Sequence, residues 1–294
     1  MQTGILFRCE TRILDDEARR SAPGDFVRLP DGMVHYELKG PPDGQPVVLV
    51  HGFSVPYYIW DPTFPALAAA GLRVLRYDLF GRGFSDRPDL PYTMELFVRQ
   101  LKDLLEALQV NIPVSLVGLS MGGPVSAGFT VKYPAFVRKL CLLDPAGFQN
   151  GRPILYRLIS LPGLGETLIG LFANRLLASN QPGDFYMPEK FPGYPGQFLP
   201  QMQYQGFKRA ILSTLRVGPL GGLTQTYQSV AAQGLPVLLV WGRQDKLVPF
   251  RLSEKACQIL PQAEFHAIDQ AGHIAHYEKP ELVNPLLIAF LKRG

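Results

Sequence analysis

The chain has 294 residues, of which 47% are hydrophobic and 18% are charged, and its formal net charge is +4. The charged fraction is below the roughly 25% of an average soluble domain, so much of the chain must be buried or line an apolar cleft. This length suits one compact domain with an insertion, or two small domains. The basic residues are scattered, so no nucleic-acid partner is expected.

The cysteines and the apolar stretches bear on the cellular compartment. Cys9, Cys141 and Cys257 are far apart and lack C-x-x-C spacing, which favours neither a disulfide framework nor a zinc site. Met1–Arg20 is charged and has no apolar signal-peptide core. Charges, prolines and glycines interrupt the most apolar long stretch, residues 153–179, so no stable membrane insertion is expected. We therefore predict a cytoplasmic protein.

The first half of the chain alternates between apolar runs and helical segments. Residues 1–24 are expected to form an irregular or mobile arm. Two short runs, Phe26–Leu29 and Val34–Leu38, then flank the turn Pro30-Asp31-Gly32, which predicts a β-hairpin. Apolar spacing predicts further strands at Val47–Val50, Leu72–Tyr77, Val114–Val117 and Leu140–Leu143, and helices at Asp61–Ala70, at Thr93–Val110 and after Ser120.

The alternation stops between about Gly147 and Gly234, where proline, glycine and aromatic residues are abundant. We predict that residues 148–234 form a helical cap inserted between two strands. Its helical runs are Glu166–Ser179 and Gln197–Leu215. The core, residues 25–147 and 235–294, resumes with strands at Pro236–Trp241 and Glu264–Ile268 and a helix at Pro280–Leu291. Continuous apolar strands separated by helices indicate a mostly parallel α/β sheet with helices on both faces.

The segment Gly118-Leu119-Ser120-Met121-Gly122 matches the pattern G-x-S-x-G between a predicted strand and a predicted helix. This context is typical of a nucleophile elbow, a strained turn that exposes the serine hydroxyl. The flanking glycines have no Cβ, so the strand and the helix can approach closely. Ser120 is therefore the candidate nucleophile.

A serine nucleophile needs a base, and the base needs an acid that orients it. His273 follows the last predicted strand and Asp245 follows the strand before it, and ligands of such sheets bind where the strands end. We predict that His273 is the base and Asp245 the orienting acid. His276 competes for the first role, and Asp144, after an earlier strand, competes for the second.

The oxyanion of an acyl-transfer reaction needs hydrogen-bond donors. We expect the backbone N–H of Met121, the residue after the nucleophile, and that of Phe53, in the turn after the first long strand. His51 precedes that turn and is expected to orient it. His35 and His266 lie within strands and are expected to be structural.

These residues belong to motifs that occur in a fixed order. The chain resembles the α/β-hydrolase superfamily at His51-Gly52-Phe53, residues 78–88, residues 118–123, Trp241-Gly242-x-x-Asp245 and Gly272-His273. The resemblance extends from about residue 25 to the end, apart from the cap. It implies an α/β-hydrolase fold with a mostly parallel eight-stranded sheet and an inserted helical cap, and the order Ser, Asp, His is that of this superfamily.

The resemblance also implies an activity. Residues 51–54 with Trp60, and residues 145–149, look most like carboxylesterases and monoacylglycerol-lipase-like enzymes. These imply a serine esterase, without cofactor or metal, that cleaves small-molecule carboxylic esters with a short to medium apolar acyl group. Trp60, Phe148 and Leu247 are expected to contact this substrate.

Three alternatives remain open. One is hydrolysis of a carbon–carbon bond in a dienoate, an anion that calls for an arginine in the cleft. The sequence pattern does not place Arg243 or Arg251 there. The second is cofactor-free perhydrolase chemistry. The third is a non-catalytic ligand-binding module, since fold does not determine function.

Overall fold

The computed structural model describes residues 7, 9–151 and 158–293. Residues 1–6 and 8 of the predicted arm and residues 152–157 of the predicted cap lie outside the described residues. Within the described part, eight strands form one sheet: β1 Asp25–Leu29, β2 Gly32–Lys39, β3 Pro46–Val50, β4 Arg73–Tyr77, β5 Val114–Leu119, β6 Val137–Leu143, β7 Val237–Gly242 and β8 Glu264–Ile268.

The sheet has the order β1-β2-β4-β3-β5-β6-β7-β8. The first two strands form the predicted hairpin, with Leu29 opposite Gly32. β2 also pairs antiparallel with β4, and the other neighbours are parallel. Every residue of β5 and of β7 is buried, as expected of strands covered on both faces. The predicted eight-stranded, mostly parallel sheet is confirmed.

Helices lie on the sheet and in the segment between β6 and β7. The α-helices of the described residues are α1 Asp16–Arg20, α2 Phe64–Ala69, α3 Met94–Ala107, α4 Gly122–Lys132, α5 Leu164–Asn180, α6 Tyr194–Phe198, α7 Phe207–Val217, α8 Thr224–Ala232, α9 Leu252–Ile259, α10 Ala275–Glu278 and α11 Pro280–Lys292. Short 3₁₀ helices occupy Tyr57–Trp60, Pro134–Phe136, Gln181–Asp184, Pro188–Lys190 and Leu199–Gln203. Among these helices, none combines the length and the apolar composition that crossing a bilayer requires.

Helix α3 illustrates how the sequence pattern produces the layer next to the sheet. The Thr93 hydroxyl accepts a hydrogen bond from the Leu96 N–H and caps the helix. Apolar residues recur three and four positions apart, and that face is buried against the core. The predicted face comprises Phe97, Leu101, Leu104, Leu105 and Leu108, of which the first four are fully buried.

The predicted cap segment is helical, and its last helix, α8, packs on the core. Helix α8 contacts α4, and the Tyr227 hydroxyl donates to the Ala146 carbonyl, so this helix lies in the helical layer that covers the sheet.

The run predicted as one helix over Gln197–Leu215 is divided into α6, a 3₁₀ turn and α7. Gly206, with φ of +88°, breaks it, because few residues other than glycine adopt that backbone conformation.

The described residues of the N-terminal arm pack against this segment. Arg12 forms backbone hydrogen bonds with Gln203 and Gln205 on either side of Tyr204. The buried Glu10 carboxylate accepts hydrogen bonds from the backbone N–H groups of Gly206 and Lys208. The arm therefore covers the start of α7.

Candidate active site

Ser120 lies in the turn between β5 and α4, with φ of +52°. The strain of a non-glycine residue in this region is tolerated only where its surroundings hold it. Here the Ser120 N–H donates to the Leu143 carbonyl at 2.9 Å, and its carbonyl accepts from Gly123 and Ala146, each at 3.0 Å. The serine is thus held in a left-handed conformation at the carboxyl end of the sheet.

Glycines make this turn possible. A Cβ on Gly118 would lie 2.4 Å from the carbonyl oxygen of Gly122, and one on Gly122 would lie 2.1 Å from that of Val50. A Cβ on Gly52 would lie 3.2 Å from the Cβ of Ser120. The turn after β3 therefore approaches the serine closely, as the motif spacing predicts.

His273 and Asp245 are hydrogen-bonded to each other. The His273 Nδ1 lies 2.7 Å from the Asp245 Oδ2, and both side chains are buried. The other carboxylate oxygen of Asp245 accepts hydrogen bonds from the N–H groups of Leu247 and Val248, at 2.8 and 2.9 Å. The loop after β7 thus fixes the carboxylate, and the carboxylate fixes the imidazole.

The electrostatic surroundings of His273 favour its protonated form. Burial lowers the pKa of His273, but the carboxyl groups of Asp245, Asp144 and Asp184 raise it, to about 9 overall. His276, the competing base, is instead fully buried, and its Nε2 contacts the Ile59 carbonyl at 3.1 Å. Burial lowers the pKa of His276 to about 3.

Asp144 lies beside this pair at the end of β6. One carboxyl oxygen of Asp144 accepts the Gly242 N–H at 2.8 Å, and the other is buried without a partner among the described residues. Burial and the nearby Asp245 raise the pKa of Asp144 well above its usual range. Ligand atoms of Asp144, Asp245 and His273 lie within 4.8 Å of one another, the one such group in the described part of the chain. The hydrogen bond between Asp245 and His273 accounts for the proximity of those two groups, and the bond to the Gly242 N–H fixes Asp144.

The turn after β3 presents a backbone donor near the serine. Neither the Phe53 N–H nor the Met121 N–H has an acceptor among the described residues. The Phe53 carbonyl accepts a hydrogen bond from the buried Arg82 guanidinium at 2.7 Å, which fixes the turn. His51 accepts the Leu79 N–H on Nε2, and its Nδ1 contacts the Gly52 carbonyl at 2.9 Å. Burial lowers the pKa of His51 to about 4, so His51 is a neutral group that orients the turn.

Ser120 and His273 line one cavity of about 100 Å³. Two sequence-predicted residues, Phe53 and Leu247, also line it, and the Leu247 side chain is 52% exposed. The remaining walls are Gly52, Ser54, Val55, Ile59, Leu119, Asp184 and Ile274.

Two residues expected to contact substrate do not line this cavity. Trp60 is fully buried, and its ring centroid lies 4.6 Å from that of His276. Phe148 is also fully buried and stacks on Tyr227 with centroids 4.1 Å apart. Both aromatic side chains are packed in the interior instead.

Sequence reasoning missed the contacts that join the segment between β6 and β7 to the loop and helix that follow β8. The Asp184 carbonyl accepts the His273 N–H at 2.8 Å. The buried Glu278 carboxylate accepts the N–H groups of Gly272, Tyr186 and Met187 at 2.8 to 3.0 Å. Single polar residues in an irregular segment give no periodic signal, so no pattern in the sequence points to them.

A further contact joins the same segment to the turn after β3. The Gln201 side chain accepts the Gly83 N–H at 3.0 Å and donates to the Ser54 carbonyl at 2.9 Å. Arg82 donates to the Thr214 hydroxyl of α7 at 2.9 Å. The segment is thus hydrogen-bonded to the turn that carries Phe53 and to the loop that carries His273.

Comparisons with known proteins bear on the fold and the family of this chain. The chain is 27% identical over 259 residues to 2-hydroxy-6-oxo-6-(2'-aminophenyl)hexa-2,4-dienoic acid hydrolase of Metapseudomonas resinovorans, covering 85% of each chain. It is 27% identical to Lipase 1 of Psychrobacter immobilis, covering 84% of this chain and 77% of the lipase. The enol-lactonase from Burkholderia xenovorans LB400 superposes with a TM-score of 0.79 at 21% identity, over 92% of this chain and all of that one.

The family assignment rests on the central part of the chain. The family model described as "alpha/beta hydrolase fold" matches residues 45–280, which include β3 to β8 and the loops that carry Ser120, Asp245 and His273. The chain belongs to the alpha/beta hydrolase fold family.

Proposed function

We propose that this hydrolase cleaves carboxylic esters through an acyl-enzyme on Ser120. The observation that carries the proposal is the position of Ser120, at positive φ on the wall of a cavity that it shares with His273. The Nδ1 of His273 is held by Asp245, which leaves Nε2 as the ring nitrogen available for proton transfer.

The proposed reaction has two halves, acylation of Ser120 and hydrolysis of the acyl-enzyme, and the same groups act in both. As the Ser120 Oγ attacks the ester carbonyl, its proton moves to the His273 Nε2. The N–H groups of Phe53 and Met121 stabilise the oxyanion. When the tetrahedral intermediate collapses, the ester C–O bond breaks and the imidazolium proton goes to the departing alcohol. Water then repeats the sequence on the acyl-enzyme and releases the acid.

The charges around the cavity support a neutral ester over an anionic dienoate. Among the described residues that line it, none is lysine or arginine, and one, Asp184, is acidic. Arg243 pairs with Asp269 outside the cavity, and Arg251 is exposed at the start of α9. Carbon–carbon bond hydrolysis remains the second candidate, because two relatives are named as dienoate hydrolases.

The size of the cavity supports a short acyl group. Its volume of about 100 Å³ equals that of roughly three water molecules. The ester function and two or three further heavy atoms fill such a space, whereas a longer chain requires the segment between β6 and β7 to move. We therefore place the substrate at the short end of the range expected from the sequence.

Hydrolysis of p-nitrophenyl butyrate tests the proposal. Ser120→Ala should lower kcat by about 10⁴-fold or more, because the serine and the histidine act as one unit. The matched control is Ser126→Ala, which removes a buried hydroxyl without a described partner from α4, away from the cavity. This control should keep wild-type turnover. A Ser120→Ala protein with a tenth of the wild-type kcat would end the proposal.

A dienoate arm separates the two candidates. The same variants are assayed with a 2-hydroxy-6-oxo-dienoate whose yellow colour is lost on cleavage. We expect the wild-type kcat/KM for the neutral ester to exceed that for the dienoate. The reverse ranking would favour the carbon–carbon hydrolase.

A further inference from the structure

The cavity contains one carboxyl group that the proposed reaction does not use. Asp184 lies at the end of the 3₁₀ turn Gln181–Asp184, and only 8% of its surface is exposed. Its backbone carbonyl accepts the His273 N–H, so the residue is fixed beside the imidazole. Asp184 is one of the residues that line the cavity with Ser120. Its carboxyl group has no hydrogen-bond partner among the described residues.

A buried carboxyl group without a partner is costly, so its surroundings matter. The charged and titratable groups that face it are His273 and Asp245 from the core, and the hydroxyls of Tyr58 and Tyr194. Neither tyrosine hydroxyl has a partner in the described part of the chain. Burial raises the pKa of Asp184, His273 lowers it and Asp245 raises it, giving about 7 overall.

We propose that Asp184 is a specificity residue that accepts a hydrogen bond from the substrate, and that the enzyme prefers esters carrying a hydroxyl or ammonium group close to the scissile carbonyl. The inference rests on the proposed ester hydrolysis and names its substrate class. A carboxylate in a small cavity binds a donor strongly, because hydrogen bonds to charged acceptors contribute most. The same carboxylate repels an anionic substrate.

The cavity volume limits where the donor group lies. About 100 Å³ accommodates a group only two or three atoms beyond the ester function. A β-hydroxy or β-ammonium acyl group meets this limit, and so does the ester of a small diol. The predicted apolar acyl group would leave the Asp184 carboxyl without a partner.

Isosteric methyl esters provide a direct test. Methyl butyrate, methyl 3-hydroxypropanoate and the methyl ester of β-alanine differ only in a terminal methyl, hydroxyl or ammonium group. Propyl acetate and 2-hydroxyethyl acetate make the same comparison on the alcohol side. Turnover is followed by acid release at fixed pH, and the measured quantity is the ratio of kcat/KM between the members of each set.

We expect the wild type to favour a donor-bearing ester by about tenfold or more in at least one set. Asp184→Asn keeps the backbone carbonyl that holds His273 and should reduce that preference toward one. The matched control is Glu189→Gln, an exposed carboxylate of the same segment, which should keep the wild-type ratio.

A second experiment follows the same preference as pH changes. The preference for the hydroxyl ester over methyl butyrate should increase as pH rises through about 7 and Asp184 ionises. Both esters require neutral His273, so the direct effect of this imidazole on turnover cancels, and the ratio reports the ionisation of Asp184 in enzyme whose imidazole is neutral. In Asp184→Asn the ratio should not vary with pH.

The outcomes separate the two proposals. No turnover of any ester would overturn the proposed function and this inference with it. Turnover of methyl butyrate with wild-type ratios near one at every pH, or with ratios that Asp184→Asn leaves unchanged, would overturn the inference alone.

Discussion

The carboxyl groups around His273 determine the pH range in which Ser120 is expected to react. Burial lowers the pKa of this imidazole, but the carboxyl groups raise it, to about 9 overall. A general base must be neutral, so kcat/KM for a neutral ester should rise about tenfold per pH unit from pH 6 and level off above about pH 9. Steady-state rates across this range measure it, and a plateau reached already at pH 7 would contradict the electrostatic description of the site.

The two aspartates beside His273 are expected to have unequal roles. Asp245→Asn should lower kcat by about 10⁴-fold, because the amide favours the wrong imidazole tautomer. Asp144→Asn should cost far less, since the amide oxygen still accepts the Gly242 N–H and since burial already favours the neutral form of this carboxyl group. Measuring kcat and the melting temperature of both variants shows which aspartate orients His273. The opposite ranking would assign the orienting acid to the end of β6.

At the scale of single residues, position relative to the strands determined what sequence could predict. Ser120, Asp245 and His273 each follow an apolar strand, so strand recognition also located these side chains. Asp184 follows no strand and stands in no repeating pattern, so only the folded chain brings it to the cavity. Phe148 illustrates the opposite case, because an aromatic residue next to a site fits interior packing equally well.

At the scale of elements, the segment between β6 and β7 is expected to set the acyl-chain range. Wild-type kcat/KM should be higher for p-nitrophenyl acetate and butyrate than for the octanoate, because the cavity is small. Gln201→Ala removes both hydrogen bonds to the core and should raise the octanoate-to-butyrate ratio. Gln203→Ala, an exposed neighbour, is the control. Equal ratios in the two variants would show that this contact does not limit the chain length.

The elements that periodicity predicted well are those with long apolar faces. α3 and β7 match their predicted cores because α3 has a buried apolar face and every residue of β7 is buried. The run predicted as one helix, Gln197–Leu215, is broken at Gly206, whose φ is +88°. Local propensity therefore located the helical residues there but not the break.

At the scale of the whole molecule, one buried ion pair links separate parts of the chain. The His35 Nδ1 lies 2.8 Å from the Asp78 Oδ2, its Nε2 contacts the Pro23 carbonyl, and Asp78 also accepts the N–H groups of Tyr57 and Phe84. Burial lowers the pKa of His35, but the hydrogen bond and charge of Asp78 raise it overall. Burial raises the pKa of Asp78, but its bonds to His35 lower it overall.

These shifts predict a pH window of stability. The His35 contribution is complete below its unfolded pKa of about 6.5 and is lost as pH rises through the folded value, while that of Asp78 is lost in acid. His35→Gln should therefore lower the free energy of unfolding by about 3–5 kcal/mol near pH 5–6 and by less at pH 9. Melting temperatures of this variant and of His266→Gln, a partly exposed strand histidine, test it. If the melting temperatures of His35→Gln and wild type differed by the same amount at every pH, this prediction would be wrong.

The hydrogen bond from the His273 N–H to the Asp184 carbonyl has a consequence for recombination between relatives. A foreign insert exchanged between β6 and β7 must bring its own acceptor to this N–H and its own backbone donors to Glu278. It must also leave room at Gly272, where a Cβ would lie 2.5 Å from the Asp184 carbonyl oxygen. Chimeras that keep residues 184–187 with the host core are expected to retain turnover, whereas those that replace them are expected to bind substrate and react slowly.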